Sequence, residues 1–146
     1  MTMRLISLIM VCVLASCAGI PQLRQDSQQG PFRPRDIYPT TPNVERLIGP
    51  EDCRGSTLAA VQAELPSYPG RAYQNGRQGW VVVRFDVNTD GSVARTRIAR
   101  SVPDGVFDRA SRRAVSSWVF RPLEGEQILE NCVVMFEFRA GEVRIR

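Results

Sequence analysis

The chain has 146 residues, room for one ordinary domain, and its 43% hydrophobic and 23% charged content is a globular balance. It contains no histidine, which excludes Ser-His-Asp and Cys-His nucleophilic sites and His-ligated metal centres and argues against an enzyme. The 19 basic residues, all arginine, exceed the 15 acids to give +4, and they are scattered rather than clustered, which excludes a nucleic-acid footprint.

One arginine, Arg4, precedes an apolar run from Leu5 to Val13, and Leu14 and the small residues Ala15 and Ser16 follow it. A membrane span needs roughly 20 apolar residues, so this shorter run reads as a secretory signal. Leu14-Ala15-Ser16-Cys17 resembles the bacterial lipobox. That resemblance implies a diacylglycerol on the Cys17 thiol, cleavage before it and acylation of the new amine. Ala18 in place of Asp after the cysteine implies retention at the outer membrane, facing the periplasm. Residues 1–16 are expected to be the signal peptide and Cys17 the lipid anchor. Residues 17–50, punctuated by six prolines and several glutamines, are expected to be a tether, averaging roughly 30 Å end to end if it behaves as a flexible coil.

The folded domain is expected over residues 51–146. Leu58, Ala59, Val61, Ala63 and Leu65 after Ser56 are read as a short capped helix ended by Pro66. Tyr68-Pro69 opens a second short helix with Gly76 as its stop. From Trp80 to Asn88, Val81, Val83, Phe85 and Val87 alternate with Trp80, Val82, Arg84 and Asp86, the period of a half-buried strand. The alternation leaves open whether Trp80 faces a bare sheet or packs under the N-terminal segment. Asn88-Thr89-Asp90-Gly91 is a turn, and a second strand over Val93–Ser101 completes a hairpin. Phe107 to Ser117 reads as an amphipathic helix, with Phe107, Ala110, Ala114 and Trp118 on one stripe and Asp108, Arg109, Arg112 and Arg113 facing water. Cys132 to Arg139 is the third strand, with Cys132, Val134, Phe136 and Phe138 pointing one way and Val133, Met135, Glu137 and Arg139 the other. Gly141 separates a last short segment, Glu142 to Arg146.

A hairpin, a crossover helix and a returning strand make an α+β domain whose three-stranded antiparallel sheet has the order 2-1-3, with a free edge on the third strand unless Glu142 to Arg146 folds back on it or a partner covers it. Cys53 and Cys132 are expected to form a disulfide in an oxidising compartment, the alternative being two separate buried thiols. Asp86, Asp90, Asp104 and Asp108 lack the spacing of a metal loop, and no Gly-x-Ser-x-Gly occurs, so neither a metal, a cofactor nor a catalytic residue is expected.

Tyr68-Pro69-Gly70-Arg71-Ala72, Gly79, Val81, Val83, Phe85-Asp86-Val87, Asp90-Gly91, Phe107, Ala114, Trp118, Phe120, Pro122, the strand Val133–Phe138 and Gly141 together resemble the C-terminal domain of the TonB family. The resemblance covers about 80 residues, and its implied fold is a short helix, a β-hairpin, a second helix and a third strand. In that family the domain binds an extended peptide, the TonB box of an outer-membrane transporter, as an added strand beside the third strand. The implied partner surface here is Val133, Val134, Met135, Phe136, Glu137, Phe138 and Arg139. The stretch before Tyr-Pro also contacts the box in the family, which adds Leu65 and Tyr68. Leu65 stands where the family carries glutamine, so a hydrogen-bonding side chain is missing. TonB itself has an uncleaved inner-membrane helix carrying a histidine and a long proline-rich spacer. With a cleavable signal, a short tether and no histidine, this chain is not expected to couple to an inner-membrane proton channel. The expectation is a non-catalytic binding module that docks a periplasmic or outer-membrane protein segment. The competing expectation is a structural envelope lipoprotein that self-associates as a homodimer.

Overall fold

The computed structural model describes residues 30–49, 53, 58–125 and 127–146. The signal and anchor residues, Cys17 among them, and the Ser56 cap lie outside the described residues. In chain order the elements are a 3-10 turn (Val44–Leu47), β1 (Ala60–Gln62), α1 (Gly70–Gln74), β2 (Gly79–Val87), β3 (Val93–Val102), α2 (Asp108–Ser116), β4 (Val119–Phe120), β5 (Leu129–Arg139) and β6 (Glu142–Ile145). No described helix is long and apolar enough to cross a membrane.

The main sheet is antiparallel and four-stranded, in the order β3-β2-β5-β6. Its first three strands are the expected hairpin and returning strand, in the expected 2-1-3 arrangement. The fourth, β6, is an addition, formed because the last residues turn back on β5. Ala140 (φ 52°) and Gly141 (φ 84°) form a two-residue loop with both φ values positive, the type I′ geometry whose twist matches that of a hairpin. A Cβ on Gly141 would also come within 2.9 Å of the Tyr73 ring and 3.0 Å of Phe32, so only glycine closes this turn here.

One face of the sheet carries Val81, Val83, Phe85, Val87, Cys132, Val134, Phe136 and Phe138 onto Phe107, Val115, Trp118 and Phe120 from and around α2. The other face buries Trp80, Val82, Val133 and Met135 beneath Tyr38, Val44, Leu47 and Ile48. Two expectations are corrected by this second layer. The central strand β2 is buried on both faces rather than half-buried. Residues 32–48, read from composition as tether, are a strap that belongs to the domain. The indole N–H of Trp80 donates to Thr40 O at 3.0 Å, Gln78 Nε2 to Asp36 O at 2.9 Å and Arg84 to Leu47 O at 2.5 Å, and Asp36 pairs with Arg77. Prolines fix this strap in extended form without interrupting a ladder, so its low apolar content conceals a few well-placed anchors.

Among the described residues from Leu58 to Leu65 the first expected helix is absent. Ala60–Gln62 is a short strand on β4, and the Arg121 N–H donates to Ala59 O at 2.9 Å. Ala59, Val61, Ala63 and Leu65 recur every second residue, yet all four are exposed, so the strand is held by its pairing with β4 rather than by a buried face.

Candidate functional site

The outer edge of β5 is closed by the chain itself. Phe136, Glu137, Phe138 and Arg139 stand opposite Ile145, Arg144, Val143 and Glu142 of β6. Met135 donates its N–H to Arg146 O at 3.3 Å and accepts the Arg146 N–H at 2.9 Å. Further up the strand, the Val133 N–H donates to Cys53 O at 2.8 Å, and Cys53 is joined by a disulfide to Cys132. Of the two outcomes left open for the β5 edge, a free edge or one covered by Glu142–Arg146, the structure has the covered one. The N–H groups of Val133 and Met135 do face outward, but two segments of the same chain take them. The physical reason is that a row of unmatched backbone groups draws whatever chain is near, and the tight Ala140-Gly141 loop places β6 there.

The cover is shallow where β6 supplies it. Glu142, Arg144 and Arg146 are exposed, Ile145 is 41% exposed, and only Val143 packs on the core. Arg146 Nε meets Glu137 Oε2 at 3.0 Å, and Glu137 is itself 8% exposed. Tyr38 of the strap closes the same region: Arg139 lies 4.9 Å from its ring centre, and burial followed by the negative charge of Glu137 raises its hydroxyl pKa. β5 as a whole is fixed from both faces, by Val134, Phe136 and Phe138 in the main core and Val133 and Met135 beneath the strap.

Tyr68 is the hub that ties β5 to the residues before α1. Its ring meets Phe32, Tyr73, Phe107 and Phe138 edge-on, with centroids 5.5–5.7 Å apart. Its hydroxyl donates to Arg77 O at 2.5 Å. Burial, then the nearby Asp36 charge, pushes its pKa up to about 12. The polar end of Tyr68 is thus spent inside the domain. Leu65, 47% exposed, projects from the chain just before it.

Leu65 and Tyr68 share one wall of an open groove of about 1060 Å³. The opposite wall is α2, presenting Arg109, Ala110, Arg113 and Ala114, and Arg71 of α1 also reaches it. The structure thus brings Leu65 and Tyr68 together in the groove and leaves Val133–Arg139 on the sheet, with the Tyr68–Phe138 ring contact as the link. Of the helix residues expected to face water, Arg109 and Arg113 are the pair that line the groove. Their four-residue spacing, which puts them on one helical face, is the signal that selects them. The hairpin strand β6 was equally legible in principle from Ala140-Gly141 between alternating segments. Among the described residues no group of three or more Cys, Asp or Glu is placed to hold a metal.

A four-stranded antiparallel sheet with one crossover helix and a short helix before it defines a small α+β domain. Residues 64–140, more than half the chain, match the family described as Gram-negative bacterial TonB protein C-terminal, and the chain belongs to that family. It is 31% identical over 91 residues to Protein TonB of Pseudomonas aeruginosa, covering 61% of this chain and 27% of that protein. It is 27% identical over 94 residues to Protein TonB of Yersinia enterocolitica, covering 64% of this chain and 34% of that one. The solution structure of the Pseudomonas aeruginosa TonB C-terminal domain is similar at a TM-score of 0.50 and 30% identity, covering 61% of this chain and 92% of that domain. The matches thus span about a quarter to a third of the length of the curated relatives.

Proposed function

We propose that the protein is a non-catalytic, lipid-anchored docking module of the cell envelope, in which an extended segment of a periplasmic or outer-membrane protein adds to the β5 edge in place of β6. The observation that carries this reading is the asymmetry between the two strands. β5 is held by two cores, whereas β6 is four residues long and buries little beyond Val143. A partner strand that repeats the same backbone hydrogen bonds displaces β6 at low cost and adds its own side-chain contacts. Membership of the TonB C-terminal family supports the same surface. The lipid anchor at Cys17 holds the domain near its partners, since two or three acyl chains bind a bilayer firmly where one does not.

The test is photocrosslinking in the envelope, with a photoreactive residue replacing Arg139 or, as control, Arg112 of the full chain. Crosslinks from position 139 to an extended segment of an envelope protein, gaining yield when Glu142–Arg146 is deleted, support the reading. Crosslinks only at position 112, or yields indifferent to that deletion, overturn it. Crosslinks exclusively to other copies of the chain establish self-association instead.

A further inference from the structure

We infer that the groove between α2 and the Leu65–Arg71 segment binds an extended protein segment with acidic residues at alternate positions. This rests on the docking-module reading but uses a different face from the β5 edge. Arg71, Arg109 and Arg113 line the groove, and none of their side chains has an ion pair or hydrogen bond among the described residues. Arg77, in the same wall, shows the contrast, since Asp36 satisfies it. Glu64 is the one acidic residue of the lining.

Arg109 and Arg113 are four apart on α2, and a like-charge pair at that spacing destabilises a helix. Arg109 also sits in the first turn, where the helix dipole disfavours a cation. The fold gains nothing visible from either placement, and a carboxylate-bearing ligand reverses both penalties. Between the arginines, Ala110 and Ala114 keep the α2 wall low, and Leu65, Pro66 and Val106 make the rest apolar enough to strengthen the field.

The occupant follows from size and spacing. A groove of about 1060 Å³ is far larger than a single anion needs. Helical side chains four apart have Cβ atoms roughly 6 Å apart. In an extended peptide, alternate side chains point the same way at about 6.6 Å. A Glu-x-Glu strand therefore aligns its carboxylates with Arg109 and Arg113, each guanidinium offering a bidentate fork. Arg71, from α1, meets a third acid.

The experiment uses the full chain in detergent and a fluorescein-labelled synthetic peptide of alternating Ala and Glu, titrated at low salt. Saturable binding is expected, with R109A/R113A lowering affinity by roughly tenfold or more while circular dichroism is unchanged. The reversal variant R109E/R113E should instead take the alternating Ala–Lys peptide. Deleting Glu142–Arg146 should leave binding unaltered, which separates this site from the β5 edge. Equal affinity of wild type and R109A/R113A overturns the proposal, as does displacement of the peptide by inorganic phosphate at the same concentration. Loss of binding on deleting Glu142–Arg146 also overturns it, by placing the peptide on β5.

Discussion

Trp80 donates its indole N–H to the backbone carbonyl of Thr40 at 3.0 Å, joining the middle of the sheet to a segment forty residues earlier in the chain. The contact identifies residues 32–48 as structure. Trp80 is 2% exposed, with Arg100 stacked 5.7 Å from its ring centre.

Replacing Trp80 with alanine removes the largest side chain of the second core, and is expected to cost about 3–5 kcal/mol. Trp80→Phe keeps most of the volume and loses the hydrogen bond, at about 1 kcal/mol. Urea unfolding followed by circular dichroism measures both. Equal stability of Trp80→Ala and wild type would show that the strap does not seal this face.

Most of the sheet was legible because its determinants are local. Alternation in Val81–Val87, turn chemistry in Asn88–Gly91 and the Phe107–Trp118 stripe each act within a dozen residues. The strap was not, because Tyr38, Val44, Leu47 and Ile48 have no common period and acquire meaning only against Trp80 and Met135. The edge stayed undecided for a different reason. Topology ordered the three longer strands correctly, but the fate of the β5 edge depended on five terminal residues whose pairing is set by one two-residue loop. The groove lay between the two: Leu65 and Tyr68 were assigned through family resemblance and the Arg109–Arg113 spacing was local, but only the fold brings the two sets to one groove.

Asp86 of β2 links its strand to both neighbours, β3 and β5, through its side chain. It is 2% exposed, pairs with Arg95 of β3, and accepts the backbone N–H of Asn131 of β5 at 2.8 Å. Its position falls where the β2 register shifts against both neighbours, so the carboxylate supplies an acceptor that the ladder omits. Asp86→Ala is expected to cost about 1.5–3 kcal/mol by orphaning the Asn131 N–H. Asp86→Asn keeps an acceptor and should cost about half that, because Arg95 is 61% exposed and its ion pair is screened. Chemical denaturation ranks the two. If Asp86→Asn proves as damaging as Asp86→Ala, the charge rather than the hydrogen bond accepted from the Asn131 N–H carries the effect.

The Cys53–Cys132 disulfide closes a separation of 79 residues and holds Cys53 O against the Val133 N–H. Replacing both cysteines with alanine should lower stability by about 2–5 kcal/mol. Hydrogen exchange tests the local consequence. The Val133 amide should accelerate more than the Met135 amide, which Arg146 takes on the same outer edge independently of the disulfide. Uniform acceleration along β5 would instead mean that the bond acts only on global stability.

High pH provides a test of the aromatic hub. Tyr68 holds its proton up to about 12 in the folded chain, against an ordinary value of 10.0, because burial and Asp36 disfavour the phenolate. A group whose folded pKa is raised adds stability that is complete below its unfolded value and is lost as pH climbs to the folded one. Stability should therefore hold near pH 9 and fall between about pH 10 and 12. Tyr68→Phe should flatten that fall while lowering stability at neutral pH, since the bond to Arg77 O is lost. Unchanged steepness in Tyr68→Phe would assign the alkaline transition to Tyr38, the other tyrosine whose proton is held by burial.

Deleting Glu142–Arg146 separates the stability of the domain from the closure of its edge. The deleted residues include four-residue β6, whose side chains are exposed apart from Val143, so the loss should be modest, about 1–2 kcal/mol. The consequence for association should be larger. The N–H of Met135 loses Arg146 O, the backbone facing Phe136–Arg139 is uncovered, and Glu137 loses the Arg146 guanidinium 3.0 Å away. An uncovered edge on a strand fixed by two cores is a template for another strand. Sedimentation velocity should show the full-length chain less associated than the truncated one at equal concentration. Adding Met135→Pro to the truncated chain should reverse the effect, because it removes an outward N–H without touching the β2 side. Association that persists with the proline would move the contact to β3, the other boundary strand of the sheet.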